Sequence, residues 1–101
     1  MQLDDILYPP IEPLRSGRLR VSALHELYWE TCGNPQGIPV LFLHGGPGAG
    51  ISATSRRFFD SERYHVVLFD QRGSGRSTPL GETRENTRAL LIEDLEHLRA
   101  Q

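Results

Sequence analysis

Two runs of consecutive apolar residues dominate the hydrophobic pattern of the chain. They are PVLFLH at 39–44 and YHVVLFD at 64–70. A strand with one exposed face alternates apolar and polar positions, whereas a continuous apolar run is typical of a strand covered on both faces. The intervening segment ISATSRRFFDSE at 51–62 has room for a short helix. The pattern therefore predicts a strand, a helix and a second strand parallel to the first.

Weaker signals precede this unit. The prolines of YPPIEP at 8–13 predict an extended arm, because proline cannot continue a helix and restricts the residue before it. Two β-prone runs, at 19–21 and 25–31, are separated by a break near Ser22 and Ala23 and predict an antiparallel hairpin. The segment GNPQGIP, rich in glycine and proline, predicts a turn before the first apolar run.

The C-terminal part changes to a helical period. After the polar loop QRGSGRSTPLGETRE, the segment NTRALLIEDLEHLRAQ at 86–101 places Leu91, Leu95 and Leu98 on one face of a helix. Asn86 or Thr87 is suited to cap its N-terminus.

The predicted fold class is α/β: a β-hairpin followed by a βαβ unit and a helix. Two parallel strands with two helices cover only half of the faces that such a sheet buries, so the sheet is expected to be incomplete. The predicted organisation is an extended arm over 1–16 and a partial sheet with helices over 17–101.

Composition narrows the classes of partner. The chain has 101 residues, with 11 Lys and Arg against 13 Asp and Glu and a net charge of −2, and neither sign forms a long run. Small neutral ligands or peptides are therefore expected, rather than nucleic acid or an anionic membrane.

The acidic, proline-broken N-terminus does not resemble a signal peptide and no apolar run reaches bilayer length, so a cytoplasmic location is expected. Cys32, the one cysteine, excludes an internal disulfide and is expected to fill a buried position.

The glycines of VLFLHGGPGAGISA admit two functional hypotheses. Gly48, Gly50 and Ala53 match the dinucleotide-binding pattern G-x-G-x-x-[GA], and Asp70 ends the next strand where a ribose-binding acid is expected. The first glycine of that pattern normally turns the chain directly at the strand end. Here the residues 44–47 intervene, and they include a proline of fixed φ. This spacing argues against a dinucleotide site.

The second hypothesis uses the intervening residues. Serine hydrolases of the α/β type take one oxyanion-hole donor from a loop after an early strand, often with the sequence His-Gly-Gly. Gly46 is the predicted donor through its backbone N–H, with Gly45 and Pro47 shaping the loop, because a residue without Cβ lets the N–H face the substrate. His44 is expected to brace this loop by hydrogen bonds. The other histidines, His25, His65 and His97, have neither metal-ligand nor triad spacing.

Four segments carry a resemblance to a known family. The chain resembles the N-terminal third of bacterial proline iminopeptidases, also called prolyl aminopeptidases, of the α/β-hydrolase superfamily. The segments are LYPP, YWETCGNPQGIPVLFLHGGPGAGIS, RRFFDSERYHVVLFDQRGSGRSTP and ENTRALLIEDLEHLR. The combination of HGGPG with DQRGSGRS is the most specific part. Modest departures from the family pattern occur at Ala49, Ser74 and Arg88.

The resemblance implies a Ser-His-Asp enzyme that releases N-terminal proline from peptides and uses neither metal nor cofactor. It implies that Gly46 belongs to the oxyanion hole and that Asp70 and Arg72 support the loop after the second apolar strand through charged hydrogen bonds. No serine in the 101 residues satisfies the nucleophile pattern G-x-S-x-G. In the family the nucleophile, acid and base come from later sequence, so this chain alone is expected to be inactive. The alternative hypothesis is a small, non-catalytic α/β module for binding or assembly.

Overall fold

The computed structural model describes residues 7–44 and 50–99. This part of the chain contains four strands, one 3-10 helix and one α-helix. In chain order they are β1 (Arg15–Arg20), β2 (Glu26–Gly33), β3 (Ile38–Phe42), the 3-10 helix (Ala53–Phe58), β4 (Tyr64–Phe69) and α1 (Arg88–Arg99). The proline-rich segment 8–13 is neither helix nor strand, as predicted, and β1 begins at Arg15, inside the range assigned to the arm.

The four strands form one sheet in the order β1-β2-β4-β3. β1 and β2 pair as the predicted antiparallel hairpin, β2 and β4 are also antiparallel, and β3 and β4 are parallel. The connection from β3 to β4 contains a short helix, as expected, but of the 3-10 type. The predicted strand–helix–strand unit is therefore confirmed.

Each face of the sheet has its own apolar core. On one face, α1 packs through Leu98 and the partly buried Leu91 and Leu95 against Leu27 and Phe69. The predicted apolar face of the helix is therefore confirmed. The helix begins after Thr87, whose hydroxyl accepts the N–H of Leu90 at 3.3 Å and so provides the predicted cap.

The opposite core lies on the side of the 3-10 helix. It contains the buried residues Cys32, Ile51, Val66 and Leu68. The expectation that Cys32 fills a buried position is confirmed, and burial raises the pKa of its thiol.

The prediction that β3 is covered on both faces is wrong. Ile38 and Leu41 are 55% and 42% exposed, because β3 is an edge strand in the described sheet and pairs there with β4 alone. A groove of about 390 Å³ runs between β3 and α1 and is lined mainly by apolar side chains, among them Val40, Leu41 and Leu95. An apolar run reports hydrophobicity, but it does not distinguish a central strand from an edge strand.

Within residues 7–44 and 50–99, no helix has the length and apolar character needed to cross a bilayer.

Candidate active site

The candidate active site lies where the parallel strands β3 and β4 end. Parallel strands have their carboxyl ends at the same edge of a sheet, and open α/β sheets bind ligands at this edge. His44 follows β3 by two residues, and Asp70 and Gln71 follow β4 directly. The loops that the sequence singled out therefore leave the sheet side by side.

His44 and Gln71 form a reciprocal pair. The backbone N–H of Gln71 donates to Nε2 of His44 at 3.0 Å, and the side-chain amide of Gln71 donates to the carbonyl of His44 at 3.1 Å. His44 is buried, with 7% of its surface exposed. Nε2 is therefore the acceptor of this pair, and the buried Nδ1 has no hydrogen-bond partner among the described residues. These bonds join the end of β3 to the loop after β4; the brace expected for the glycine loop involves residues 45–49, which lie outside the described residues.

Asp70 joins the segment after β3 to the loop after β4. Its Oδ1 accepts the N–H of Ile51 at 2.6 Å, and its Oδ2 accepts the N–H of Arg76 at 2.8 Å. The residue has no exposed surface. Hydrogen bonds from backbone N–H groups to a carboxylate are about twice as strong as neutral ones. A single buried side chain therefore fixes two separate loops.

Two glycines make room for this carboxylate. Gly50 and Gly75 both have positive φ, of +75° and +52°. A Cβ at Gly50 would lie 2.7 Å from Oδ1 of Asp70, and one at Gly75 would lie 2.6 Å from Oδ2. Both the backbone conformation and the close approach therefore require glycine at these positions.

The backbone of Asp70 is held as firmly as its side chain. Its N–H donates to the carbonyl of Tyr28 at 2.9 Å. The hydroxyl of Ser77 donates to the carbonyl of Asp70 at 2.5 Å and accepts the N–H of Tyr28 at 2.9 Å. The buried hydroxyl of Ser77 is thus used to connect the loop to β2, which leaves it no role as a nucleophile.

Arg72 attaches the same loop to α1. Its Nε and Nη2 donate to the two carboxylate oxygens of Asp94 at 2.8 and 2.9 Å, and its Nη1 donates to the carbonyl of Glu85 at 2.7 Å. The predicted support of this loop by charged hydrogen bonds from Asp70 and Arg72 is present. Sequence reasoning missed Asp94, although its position three residues after Leu91 and four before Leu98 places it on the apolar face of the helix.

A second buried ion pair lies on the other face of the sheet. Glu30, fully buried in β2, accepts hydrogen bonds from Nε and Nη2 of Arg56 at 2.6 and 3.0 Å and from the hydroxyl of Tyr28 at 2.9 Å. Burial raises the pKa of Glu30, but the hydrogen bonds from Arg56 and Tyr28 outweigh it and hold the pKa below its ordinary value. Burial and the bond to Glu30 raise the pKa of Tyr28. The guanidinium of Arg76 lies 3.7 Å from the centre of the Tyr28 ring, so this cluster also touches the loop after β4.

The predicted oxyanion residues Gly45, Gly46 and Pro47 lie outside the described residues, which resume at Gly50. The structure does describe what borders them: His44 on one side, and Gly50 with Ile51 on the other. His25 is buried, and its Nε2 lies 2.7 Å from the carbonyl of Arg84.

The geometry of Asp70 argues against the dinucleotide hypothesis. A ribose-binding acid must present free carboxylate oxygens to the ligand. Both oxygens of Asp70 are bonded to backbone N–H groups, and the side chain is inaccessible. Gly50, which the pattern assigned to the phosphate loop, instead allows the close approach of Asp70.

The parallel pair of β3 and β4, joined through a helix, is typical of an α/β fold. A family model described as the alpha/beta hydrolase fold matches residues 38–101. The chain belongs to the α/β-hydrolase family, and the predicted fold class is confirmed.

The chain is also similar to curated proteins named proline iminopeptidases. The chain is 59% identical to a proline iminopeptidase of Arabidopsis thaliana over 93 residues, which cover 92% of this chain and 24% of that protein. It is 55% identical to a proline iminopeptidase of Xanthomonas citri over 93 residues, covering 92% of this chain and 30% of that protein. The predicted resemblance is confirmed, and the chain spans only about a quarter to a third of the length of these relatives.

Solved structures agree on the fold. A candidate epoxide hydrolase from Pseudomonas aeruginosa matches with a TM-score of 0.59 and 27% identity, over 91% of this chain and 30% of that chain. A mutant of the same protein matches with a TM-score of 0.55. A candidate epoxide hydrolase and proline iminopeptidases are therefore both similar to this chain. For this reason the fold alone does not define the substrate.

Proposed function

We propose that this chain is the N-terminal part of a serine aminopeptidase that releases N-terminal proline from peptides. The observation that carries the proposal is the identity of 59% to a proline iminopeptidase across nearly the whole chain. The sequence HGGPG contributes a second argument, because it follows β3 in the chain. The carboxyl end of β3 lies where open α/β sheets bind ligands.

In this proposal the backbone N–H of Gly46 is one donor of the oxyanion hole. Attack by a serine on the scissile carbonyl places negative charge on its oxygen, and preorganised N–H donors stabilise that charge in a site that excludes water. In support of the proposal, His44, the first residue of HGGPG, is buried and hydrogen-bonded to Gln71. His44 is a brace, and the general base is another residue.

The remaining catalytic groups are proposed to come from sequence that the relatives have and this chain does not span. No serine of the chain has the nucleophile pattern, and the described candidates Ser74 and Ser77 are buried in the loop after β4. The chain alone is therefore expected to be inactive, and no metal or cofactor takes part in the proposed reaction.

The test compares two proteins. One is the chain of 101 residues; the other, called the chimera below, joins it to the C-terminal part of the Xanthomonas citri relative in place of that protein's own N-terminal segment. The chimera should hydrolyse proline arylamides and react with a serine-directed phosphonate, whereas the chain alone should do neither. A folded, phosphonate-reactive chimera that hydrolyses other arylamides and leaves the proline substrate intact would contradict the proposed specificity.

A further inference from the structure

A cavity of about 270 Å³ lies between the sheet and the C-terminal end of α1. Its floor contains the paired residues Arg15, Thr31 and Val67, which form a row across β1, β2 and β4. Leu98 and Arg99 of α1 also line it. The cavity is therefore built from three strands and a helix, and all its lining residues belong to the described part of the chain.

The ionisable residues that line this cavity are all basic: Arg15, Arg99 and His65. Arg99 bonds to the exposed Glu96. Within residues 7–44 and 50–99, Arg15 has no carboxylate partner and the ring of His65 makes no hydrogen bond. A guanidinium without a carboxylate partner presents a planar set of N–H donors to an anion. The cavity is therefore suited to a ligand with a negative charge.

Most of the other lining side chains are apolar, among them Trp29, Val67 and Leu98. The indole of Trp29 lies close to its pairing partner Gly17, where an added Cβ would lie 2.9 Å from Cζ2 of the ring. The guanidinium of Arg15 lies 5.7 Å from the centre of the same indole. A cationic group and an aromatic ring are therefore adjacent in the cavity.

We propose that this cavity binds a small carboxylate with an apolar ring. The carboxylate oxygens accept hydrogen bonds from Arg15, and the ring packs against Trp29. Small-molecule sites are mainly apolar, with a few polar groups that fix the orientation of the ligand, and usually measure about 300–1,000 Å³, so this smaller cavity fits a small ligand. A bare phosphate would leave the apolar walls without a contact. The proposal does not rest on the proposed peptidase activity.

The experiment titrates phenylacetate into the chimera by isothermal titration calorimetry. Three further probes each lack one feature: phenylacetamide lacks the charge, acetate lacks the ring, and inorganic phosphate lacks any apolar surface. Labelling with 5-fluorotryptophan gives each indole a fluorine NMR signal, and the variant Trp29→Phe identifies the signal of Trp29. A chimera blocked with the serine-directed phosphonate separates this cavity from the proposed active site.

Phenylacetate should bind with a dissociation constant below about 1 mM and should shift the signal of Trp29. The other three probes should bind at least about tenfold more weakly, because each loses either the charged hydrogen bonds or the apolar contact. Phosphonate treatment should leave the dissociation constant unchanged. Equal binding of phenylacetamide, no binding of phenylacetate, or binding that the phosphonate abolishes would overturn the proposal.

Two variants alter the cavity in different ways. Arg15→Gln removes the cation, and Gly17→Ala keeps every charge but displaces the indole of Trp29. Each should weaken phenylacetate binding at least about fivefold in samples matched for folding by circular dichroism. Arg20→Gln is the matched control, because it removes another exposed guanidinium of β1 that pairs with Glu26 and does not line the cavity.

The control variant Arg20→Gln should bind phenylacetate as the unsubstituted chimera does. Equal losses for Arg15→Gln and Arg20→Gln would show that the cation acts only through overall charge, and this result would overturn the proposed site. A folded chimera that binds phenylacetate at Trp29 but does not hydrolyse proline arylamides would support the site and count against the proposed function alone.

Discussion

Arg72 and Asp94 form a bidentate ion pair between the loop after β4 and helix α1. Their side chains are 4% and 1% exposed, and both carboxylate oxygens are used. Charges removed from water to this degree are tolerated only when their hydrogen bonds are satisfied. The pair therefore connects α1 to the loop that carries Asp70. Removing one partner leaves the other charge buried and unpaired, and this unpaired charge sets the free-energy cost of the change.

Removal of one partner of this pair should destabilise the protein strongly. In the chimera, Arg72→Met leaves the carboxylate of Asp94 buried without its cation, which should cost about 3–5 kcal/mol. The double variant Arg72→Met/Asp94→Leu should recover a large part of that loss, because no buried charge remains. Thermal or urea unfolding monitored by circular dichroism measures both.

The surface pair of Arg99 and Glu96 is the control for this experiment. Its side chains are 77% and 61% exposed, so Arg99→Met should cost less than about 1 kcal/mol. Equal losses for Arg72→Met and Arg99→Met would show that the buried pair contributes no more to stability than the exposed one.

Glu30 should make stability depend on pH in the acidic range. Its pKa is lowered in the folded protein by hydrogen bonds from Arg56 and Tyr28, which exceed the opposing effect of burial. The contribution of a carboxylate with a lowered pKa is complete above its unfolded value, which is about 4.3, and is lost as the pH falls through the folded value. At neutral pH, Glu30→Gln should cost about 3 kcal/mol, because the largely buried Arg56 loses its anion.

The pH profile separates this effect from general acid unfolding. The difference in unfolding temperature between the chimera and its Glu30→Gln variant should be constant near neutrality and should shrink below about pH 4.3. Glu93→Gln, on the exposed face of α1, should follow the unsubstituted protein throughout. A difference that stays constant into acid would mean that folding does not lower the pKa of Glu30.

Local signals were sufficient to predict most of the secondary structure. The apolar runs predicted β3 and β4, the leucine spacing predicted α1, and the break at Ser22 and Ala23 predicted the hairpin. These features depend on residues close in the chain, and for this reason sequence periodicity reports them.

The features that sequence reasoning missed depend on distant pairing. Glu30 and Arg56 are 26 positions apart, and Arg72 and Asp94 are 22 apart, so no local pattern joins them. The exposure of β3 depends on its place in the sheet order, which a hydrophobic run does not encode. The sequence did single out Asp70, but its link to Ile51 follows from the two loops lying side by side.

The isolated chain should fold poorly and associate. β3 presents an apolar edge in the described sheet, and such an edge is a template for pairing with another chain. Size-exclusion chromatography with light scattering should show concentration-dependent oligomers, and thermal unfolding should be broad. Leu41→Lys should reduce association, whereas Ile92→Lys, at a more exposed apolar site on α1, should reduce it less. A monomer with a sharp cooperative transition would favour the alternative of an independent binding module.

Neither the chain nor the chimera should bind NAD or NADP. Asp70 has no exposed surface, and its carboxylate already accepts two backbone N–H groups. Isothermal titration calorimetry should give no heat of binding up to millimolar concentrations. A micromolar dissociation constant that Asp70→Asn abolishes would return the glycine segment to the class of dinucleotide sites.

The proposed oxyanion donor can be removed through the backbone alone. Gly46→Pro in the chimera deletes the N–H of that residue, and the loss of one such donor should cost about 3 kcal/mol or more of transition-state stabilisation, roughly 100-fold or greater in kcat. Because proline also fixes φ, Ala49→Pro, at a position outside the proposed hole, serves as the control and should have a far smaller effect. Steady-state kinetics with a proline arylamide, on samples matched for folding by circular dichroism, measures the difference. If folded Gly46→Pro kept near-normal turnover, Gly46 would not be the donor, and the glycines after β3 would require another explanation.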